Sequence, residues 1–108
     1  KTLANIARCF QHAINLDYGK KLSVDGIFGT KSKEALGKHY VKNGEKQYLV
    51  TAVEIALMCR GYDPSGVECP GKFGDGLEAA VKRFQADRGL KVDGIAGRNT
   101  ILKLILYF

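Results

Sequence analysis

Six residues, Val24-Asp25-Gly26-Ile27-Phe28-Gly29, return almost unchanged 68 positions later as Val92-Asp93-Gly94-Ile95-Ala96-Gly97. Each string is followed at the same distance by a hydroxyl residue, Ser32 or Thr100, and then by a helix-like run. A third, degraded copy, Cys69-Pro70-Gly71-Lys72-Phe73-Gly74, lies 45 positions after the first. A repeat this specific restricts the chain to architectures in which one small unit is built more than once.

The loop has a physical reading. Asp before Gly suits a tight turn, because Asp can bond its own backbone and Gly tolerates positive φ. Ile27 and Ile95 are aliphatic residues inside a turn-forming string and are expected to anchor each loop to the core. The second glycine (Gly29, Gly74, Gly97) is expected to permit close backbone approach at the start of the next helix. Thr30 or Ser32, and Asn99 or Thr100, are candidate N-terminal caps. The unit is therefore helix, D-G-I-x-G turn, helix, and nothing in it is catalytic.

At 108 residues the chain is read as one domain, 1–108, large enough for a small core. No apolar run approaches the roughly 20 residues of a membrane helix. The apolar tail Ile101 to Phe108 reads as a closing helix packed into the core. A chain that opens on Lys1, with no signal-like segment, is expected to be a processed chain or an excised piece of a longer protein. The formal charge is +6, from 17 basic and 11 acidic residues. It favours anionic partners, among them nucleic acid, anionic lipid and acidic wall polymers. The lysines and arginines are scattered, however, which weakens the nucleic-acid reading and fits an ordinary solvated surface equally well. Of three cysteines, Cys9 and Cys59 fall on apolar helical stretches, where a buried thiol is expected. A Cys59–Cys69 bridge is possible but not implied. A zinc site would need Cys9, His12, Cys59 and Cys69 to converge, and no paired C-x-x-C spacing supports one.

Along the chain, Leu3, Ile6, Ala7, Phe10 and Ile14 have helical spacing over residues 3–16, closed by Gly19. Residues 30–43 make a weaker helix terminated by Asn43-Gly44. Residues 48–60 are apolar on most faces, as in a central buried helix. Leu77, Ala80, Val81 and Phe84 mark a helix ending at Arg88-Gly89, and a short C-terminal helix follows the last turn. There is no strong strand signal. The class is all-α, a small bundle of about five to six helices. It comprises a truncated repeat over 1–46 and a complete one over 47–108, sharing one core.

From Val50 to Ile105 the chain resembles the three-helix peptidoglycan-binding domain found beside cell-wall amidases, lysozymes and phage endolysins. The resemblance is carried by Gly61-Tyr62, Phe73-Gly74, Glu78 to Gln85, Gly89-Leu90, Val92 to Gly97 and Thr100. The first half resembles the opening two thirds of the same domain through Phe10-Gln11, Tyr18-Gly19, Val24 to Gly29 and Ala35-Leu36. On that alignment the first repeat lacks its third helix, and His39-Tyr40 stand where Phe-Gln is expected. Pro70 and Lys72 replace the Asp and Ile of the pattern at the middle turn.

The resemblance implies a non-catalytic module that targets an attached hydrolase to peptidoglycan. The implied location is the extracellular cell wall, reached either by secretion or, as the free cysteines favour, as a phage lysin made in the cytoplasm and released. No cofactor, metal, nucleic acid or membrane is implied, and anionic wall polymers are a further candidate partner. A peptidoglycan-binding surface needs a shallow groove with aromatic, amide and cationic groups. The candidates are Asp25, Phe28, Tyr62, Gln85, Arg88, Asp93, Arg98, Asn99 and Thr100. Each has a plainer reading: Asp25 and Asp93 as turn formers, Phe28 as core, Gln85 as a tie between loop and helix. Arg98, Asn99 and Tyr62 are favoured because the fold does not obviously need their polar tips. Catalysis is disfavoured: Cys9 beside His12 lies next to an apolar stripe, and no carboxylate stands in an aromatic setting that would raise its pKa. The Gly71 to Gly76 stretch lacks phosphate-loop spacing. A basic helical nucleic-acid binder, and a structural or oligomerising module using Tyr107-Phe108, are the alternative functions.

Overall fold

A computed structural model of the chain describes residues 4–106. Five helices are present among them: α1 (Ala4–Tyr18), α2 (Thr30–Leu36), α3 (Tyr48–Cys59), α4 (Asp75–Asp87) and α5 (Arg98–Leu106). The fold is all-α, apart from two-residue strands β1 (Lys46–Gln47) and β2 (Gly71–Lys72), paired antiparallel with Lys46 opposite Lys72. Leu3 and the Tyr107-Phe108 tip lie outside the described residues.

The apolar spacing of α1 buries Ile6, Ala7, Phe10 and Ile14 along one stripe, which packs on α3. Alpha-helix α3 is the hub. Leu49, Val50, Ala52, Val53, Ala56 and Leu57 are all buried, and the helix touches α1, α4, α5 and β2. One continuous core results, with Phe10, Phe73 and Phe84 among its largest enclosed side chains. Each such burial removes about 1.5–3 kcal/mol of apolar hydration cost. The start of α3 is capped from a distance: the Asp17 carboxylate accepts from the Tyr48 N–H at 3.1 Å and the Leu49 N–H at 2.7 Å. Such a cap contributes about 1 kcal/mol.

Three expectations change. Helix α2 stops at Leu36 instead of reaching residue 43, because Gly37 takes φ +53° and returns its N–H to the Lys33 carbonyl at 3.0 Å. Beyond it the chain turns at 37–38 and again at 43–44, with short extended pieces at Val41 and at 46–47. Val41 exchanges hydrogen bonds with Ala96 (3.1 and 2.9 Å), and Glu45 accepts from the Phe73 N–H at 2.8 Å. The 41–47 segment therefore stitches the last turn to the middle one. Second, Ile27 is 71% exposed and Ile95 half-buried, whereas Phe28, Phe73 and Ala96 sit in the core. Successive side chains of extended backbone alternate in direction, so the residue after the isoleucine is the anchor. Third, a Cβ on Gly29, Gly74 or Gly97 would meet nothing within 4 Å, so close approach does not explain these glycines. They stand where the helices begin: the carbonyls of Gly29, Gly74 and Gly97 accept the first helical bonds, from Lys33, Glu78 and Ile101. The hydroxyls predicted as caps have a different task.

The cysteines also differ from expectation. Cys59 is exposed, Cys9 is half-buried, and all three thiols are free. No helix is long and apolar enough to cross a membrane among the described residues.

Candidate functional site

Each intact D-G-I-x-G loop is held by one buried glutamine projecting from the preceding helix. In the second copy, Gln85 of α4 is 1% exposed. Its amide nitrogen lies 2.9 Å from Asp93 Oδ1, 3.0 Å from the Ile95 carbonyl and 3.1 Å from Thr100 Oγ1. Its carbonyl accepts from the N–H groups of Asp93 at 3.1 Å and Gly94 at 3.0 Å. The Asp93 carboxylate closes the turn onto the Ile95 N–H at 2.9 Å. Gly94 holds φ +74°, and a Cβ there would come within 2.9 Å of Glu78. Only a neutral amide satisfies this cage. It supplies two N–H groups to a ring of oxygens and one carbonyl to a pair of backbone donors.

The first copy repeats five of its six bonds, the Asp93 N–H bond to Gln85 having no counterpart. Gln11 of α1, also 1% exposed, donates to Asp25 Oδ1 (3.1 Å), the Ile27 carbonyl (2.9 Å) and Ser32 Oγ (3.1 Å). It accepts from the Gly26 N–H at 3.0 Å, and Asp25 accepts from the Ile27 N–H at 3.0 Å. Ser32 and Thr100 are thus buried partners of the glutamines, not caps. The equivalence pairs α1–turn–α2 with α4–turn–α5, so the element without a counterpart in the first half is the hub α3. Phe10-Gln11 stand for Phe84-Gln85, and the first half matches the closing two thirds of the complete unit instead of its opening two thirds.

Over each caged turn lies an open cleft. The second, about 340 Å³, is lined by Gln85, Leu90, Lys91, Asp93, Ile95, Gly97, Arg98, Asn99 and Thr100. The first, about 410 Å³, is lined by Gln11, Leu22, Ser23, Asp25, Ile27, Gly29 and the N-terminal residues of α2, with Lys21 beside them. Both aspartates are held below the usual carboxylate range. For Asp25 the Ile27 N–H is the main cause, followed by the Gln11 amide. For Asp93 partial burial pushes upward, but the Ile95 N–H and the Gln85 amide outweigh it. Each turn therefore carries a fixed negative charge already engaged by donors of its own loop.

The nine residues singled out from sequence divide as follows. Gln85, Asp93, Arg98, Asn99 and Thr100 meet around the second cleft, and Asp25 lies in the first. Phe28 is a core residue, 5% exposed. Tyr62 and Arg88 belong elsewhere. Tyr62 stacks edge-on against Phe84 at 5.6 Å, donates to Asp87, and lines a different recess with Met58 and Val67. The Asp87 bond, with some burial, raises the Tyr62 phenol. Arg88 also lies over the Phe84 ring, its guanidinium 5.6 Å from the centroid. Arg98 has a structural task that sequence could not show: its Nη1 donates to the carbonyls of Lys33 (2.8 Å) and Gly37 (2.9 Å), clamping the end of α2. Asn99 is exposed at the lip of the second cleft. Missed from sequence were Gln11, Lys21, Lys31 and Lys91; recurrence of the Phe-Gln pair before each turn was the signal for the first.

Among the described residues, the titratable groups give no catalytic arrangement. Burial, then the neighbouring Cys59, pushes the Cys9 thiol upward, away from the thiolate. His39 stacks flat on Tyr18 at 3.5 Å. One carboxylate does have a strongly raised pKa, contrary to expectation. Glu54 of α3, 1% exposed, is pushed to about 8 by desolvation and by its hydrogen bond with Glu68. Glu68 is correspondingly lowered, first by that same bond. The pair shares a proton beneath the 68–72 loop, where Glu54 also accepts from the Glu68 N–H at 3.3 Å. That bond fastens the loop to α3. Among the described residues, no three His, Cys, Asp or Glu side chains converge as a metal site.

Comparison with known proteins places this geometry. The chain is 34% identical over 87 residues to an uncharacterized protein, FadG, of Bacillus subtilis, covering 77% of this chain and 15% of that protein. It is 40% identical over 53 residues to the zinc D-Ala-D-Ala carboxypeptidase of Streptomyces albus G, covering 47% of this chain and 21% of the enzyme. The chain thus spans a small fraction of the length of these relatives. A crystal structure of a peptidoglycan-binding protein from Clostridioides difficile, in complex with glutamine hydroxamate, superposes with a TM-score of 0.55 at 34% identity. That match covers 62% of this chain and 40% of the other. Residues 46–104, from β1 through most of α5 and including the second cage, match the peptidoglycan binding domain family. The chain belongs to the peptidoglycan binding domain family.

Proposed function

We propose that this chain is a non-catalytic module that binds bacterial peptidoglycan and holds an attached cell-wall hydrolase on it. The observation that carries this reading is the open cleft over the second turn, inside the region that matches the family. Its floor is fixed by the Gln85 cage, so a ligand meets a surface already ordered before binding. Lys91 and Asn99 offer a cation and an amide for the carboxylates and N-acetyl groups of the polymer. A module of this kind acts through effective concentration, keeping its catalytic partner near an insoluble substrate. The working location is the cell wall. The +6 charge adds attraction to anionic wall polymers. Residues 1–46 serve as the truncated repeat and 47–108 as the complete one.

The test is co-sedimentation with purified Gram-positive sacculi, with teichoic acids intact or stripped, at low and high salt. Pelleting with stripped walls at high salt is expected, since a cleft contact is screened less than a diffuse surface charge. Binding that needs teichoic acid and collapses with salt would reduce the module to an electrostatic wall adherent. No pelleting under any condition would refute the reading.

A further inference from the structure

The first half of the chain lies almost wholly outside the region that matches the family, yet it carries its own glutamine-held turn and a cleft of its own. We infer that the cleft over the Val24–Gly29 turn is a second binding site for the same polymer, so that one chain is bivalent. This rests on the reading that the second cleft binds peptidoglycan.

Three observations carry it. All the cage bonds but the one from the Asp93 N–H recur in the first copy, so the two loop floors are held in much the same way. A half whose sole task was to fill the core would not need that: Phe28 and Leu36 pack the core, while the glutamine shapes a surface loop. Next, both copies leave the valine before the turn in water. Val24 and Val92 are 44% and 51% exposed, and Ile27 is 71% exposed on the lining of the first cleft. Each exposed β-branched side chain gives up about 1.5–3 kcal/mol that burial would supply, so the core does not explain its retention in both copies. Methyl-bearing groups, such as N-acetyl, lactyl and alanyl units, fit the exposed Ile27 side chain on that lining. Finally, Lys21 and Lys31 are exposed on the cleft lining, and Ser23 stands where the second cleft has Lys91. The two lysines supply cations for a peptide-stem carboxylate. With two exposed lysines and an exposed isoleucine on its lining, the first cleft takes a peptide-bearing fragment with a free carboxylate.

Isothermal titration with disaccharide-peptide fragments, released from Gram-positive sacculi by a muramidase, tests this on the full chain. The expected stoichiometry is two fragments per chain. Ile27→Asp with Lys31→Glu is expected to lower it to one, as is Lys91→Glu with Asn99→Ala in the second cleft. Both sets together are expected to abolish binding. On intact sacculi each single-cleft variant should be retained at least about tenfold less well, because two linked sites bind with avidity. Circular dichroism verifies folding of each variant. Should Ile27→Asp unfold the chain, Lys21→Glu with Lys31→Glu alters exposed side chains only and must give the same loss. A stoichiometry of one, unaffected by the first-cleft variants and abolished by the second-cleft ones, would overturn bivalency while leaving the proposed function intact. No binding by the unaltered chain to fragments or sacculi would overturn both.

Discussion

Replacing Gln85 by Leu removes the amide and nearly preserves the volume, so the effect isolates the cage. The loss is worked from who is left unpaired. The Gly94 N–H is buried and would have no acceptor, and Asp93 N–H and the Ile95 carbonyl are half-buried. A buried orphan costs about 1–3 kcal/mol, and half-buried groups recover part of theirs from water. The sum is about 3–4 kcal/mol. In the first copy the same change leaves groups that water reaches more easily: Asp25 and Ile27 are exposed and Gly26 is half-buried. Gln11→Leu is therefore expected to cost only about 2 kcal/mol. At about 5 °C per kcal/mol for a domain of this size, the midpoints should fall by about 15 °C and about 10 °C. Thermal and urea unfolding followed by circular dichroism read both. A loss below about 1 kcal/mol in either variant, or a larger loss for Gln11→Leu, would refute the assignment of loop order to these amides. Gln85→Glu sharpens the test, because a carboxylate would face a ring of oxygens. That variant should be least stable above the carboxylate range and recover as acid protonates the introduced group.

Glu54 predicts a pH dependence of the opposite sense to the usual carboxylate. Its folded pKa of about 8 lies above the ordinary 4.5, so its contribution is full below about 4.5 and is lost as pH rises through about 8. The unaltered chain should lose on the order of 4 kcal/mol between pH 5 and 9, and Glu54→Gln should flatten that slope. A slope unchanged in the variant would remove the shared proton from the account. Arg98→Met should cost about 1–2 kcal/mol through the freed Lys33 and Gly37 carbonyls. Its pelleting with sacculi should persist below the lowered midpoint, and a selective loss of pelleting at full stability would return Arg98 to the ligand.

Much of the fold was legible because its signals are local. The turn strings, the apolar stripe of α1 and the nearly continuous apolarity of α3 each announce their element within a dozen residues. The correspondence between the halves was not. Gln11 and Asp25 are 14 residues apart, whereas Gln85 and Asp93 are 8 apart, so the first loop carries a longer lead-in that Asn15 folds away by bonding Leu22 twice. An alignment anchored on the turns therefore misses the glutamines. The site was legible in part for a related reason. Gln85, Asp93 and Thr100 are recognisable by spacing, but Arg98 reaches carbonyls 61 and 65 positions away, and no local pattern encodes that. Glu54 reads as one more acidic residue until the 68–72 loop is laid over it.

The shared hub has a consequence for how such a chain can be inherited and cut. Alpha-helix α3 closes the core for α1 on one side and for α4 and α5 on another, and the 41–47 segment stitches the flanking turns together. A break near residue 46 would strand Ile6, Phe10 and Ile14 without a partner surface and expose the face of α3 that they cover. The two loops are thus separately free to drift at their lips, where ligand chemistry is chosen, but recombination cannot exchange one half without the other. On the ribosome, too, the first half has to wait: residues 4–36 gain their partner surface only once residues 48–59 have been made. What reads as two modules in tandem is, for synthesis and for gene shuffling, one indivisible unit.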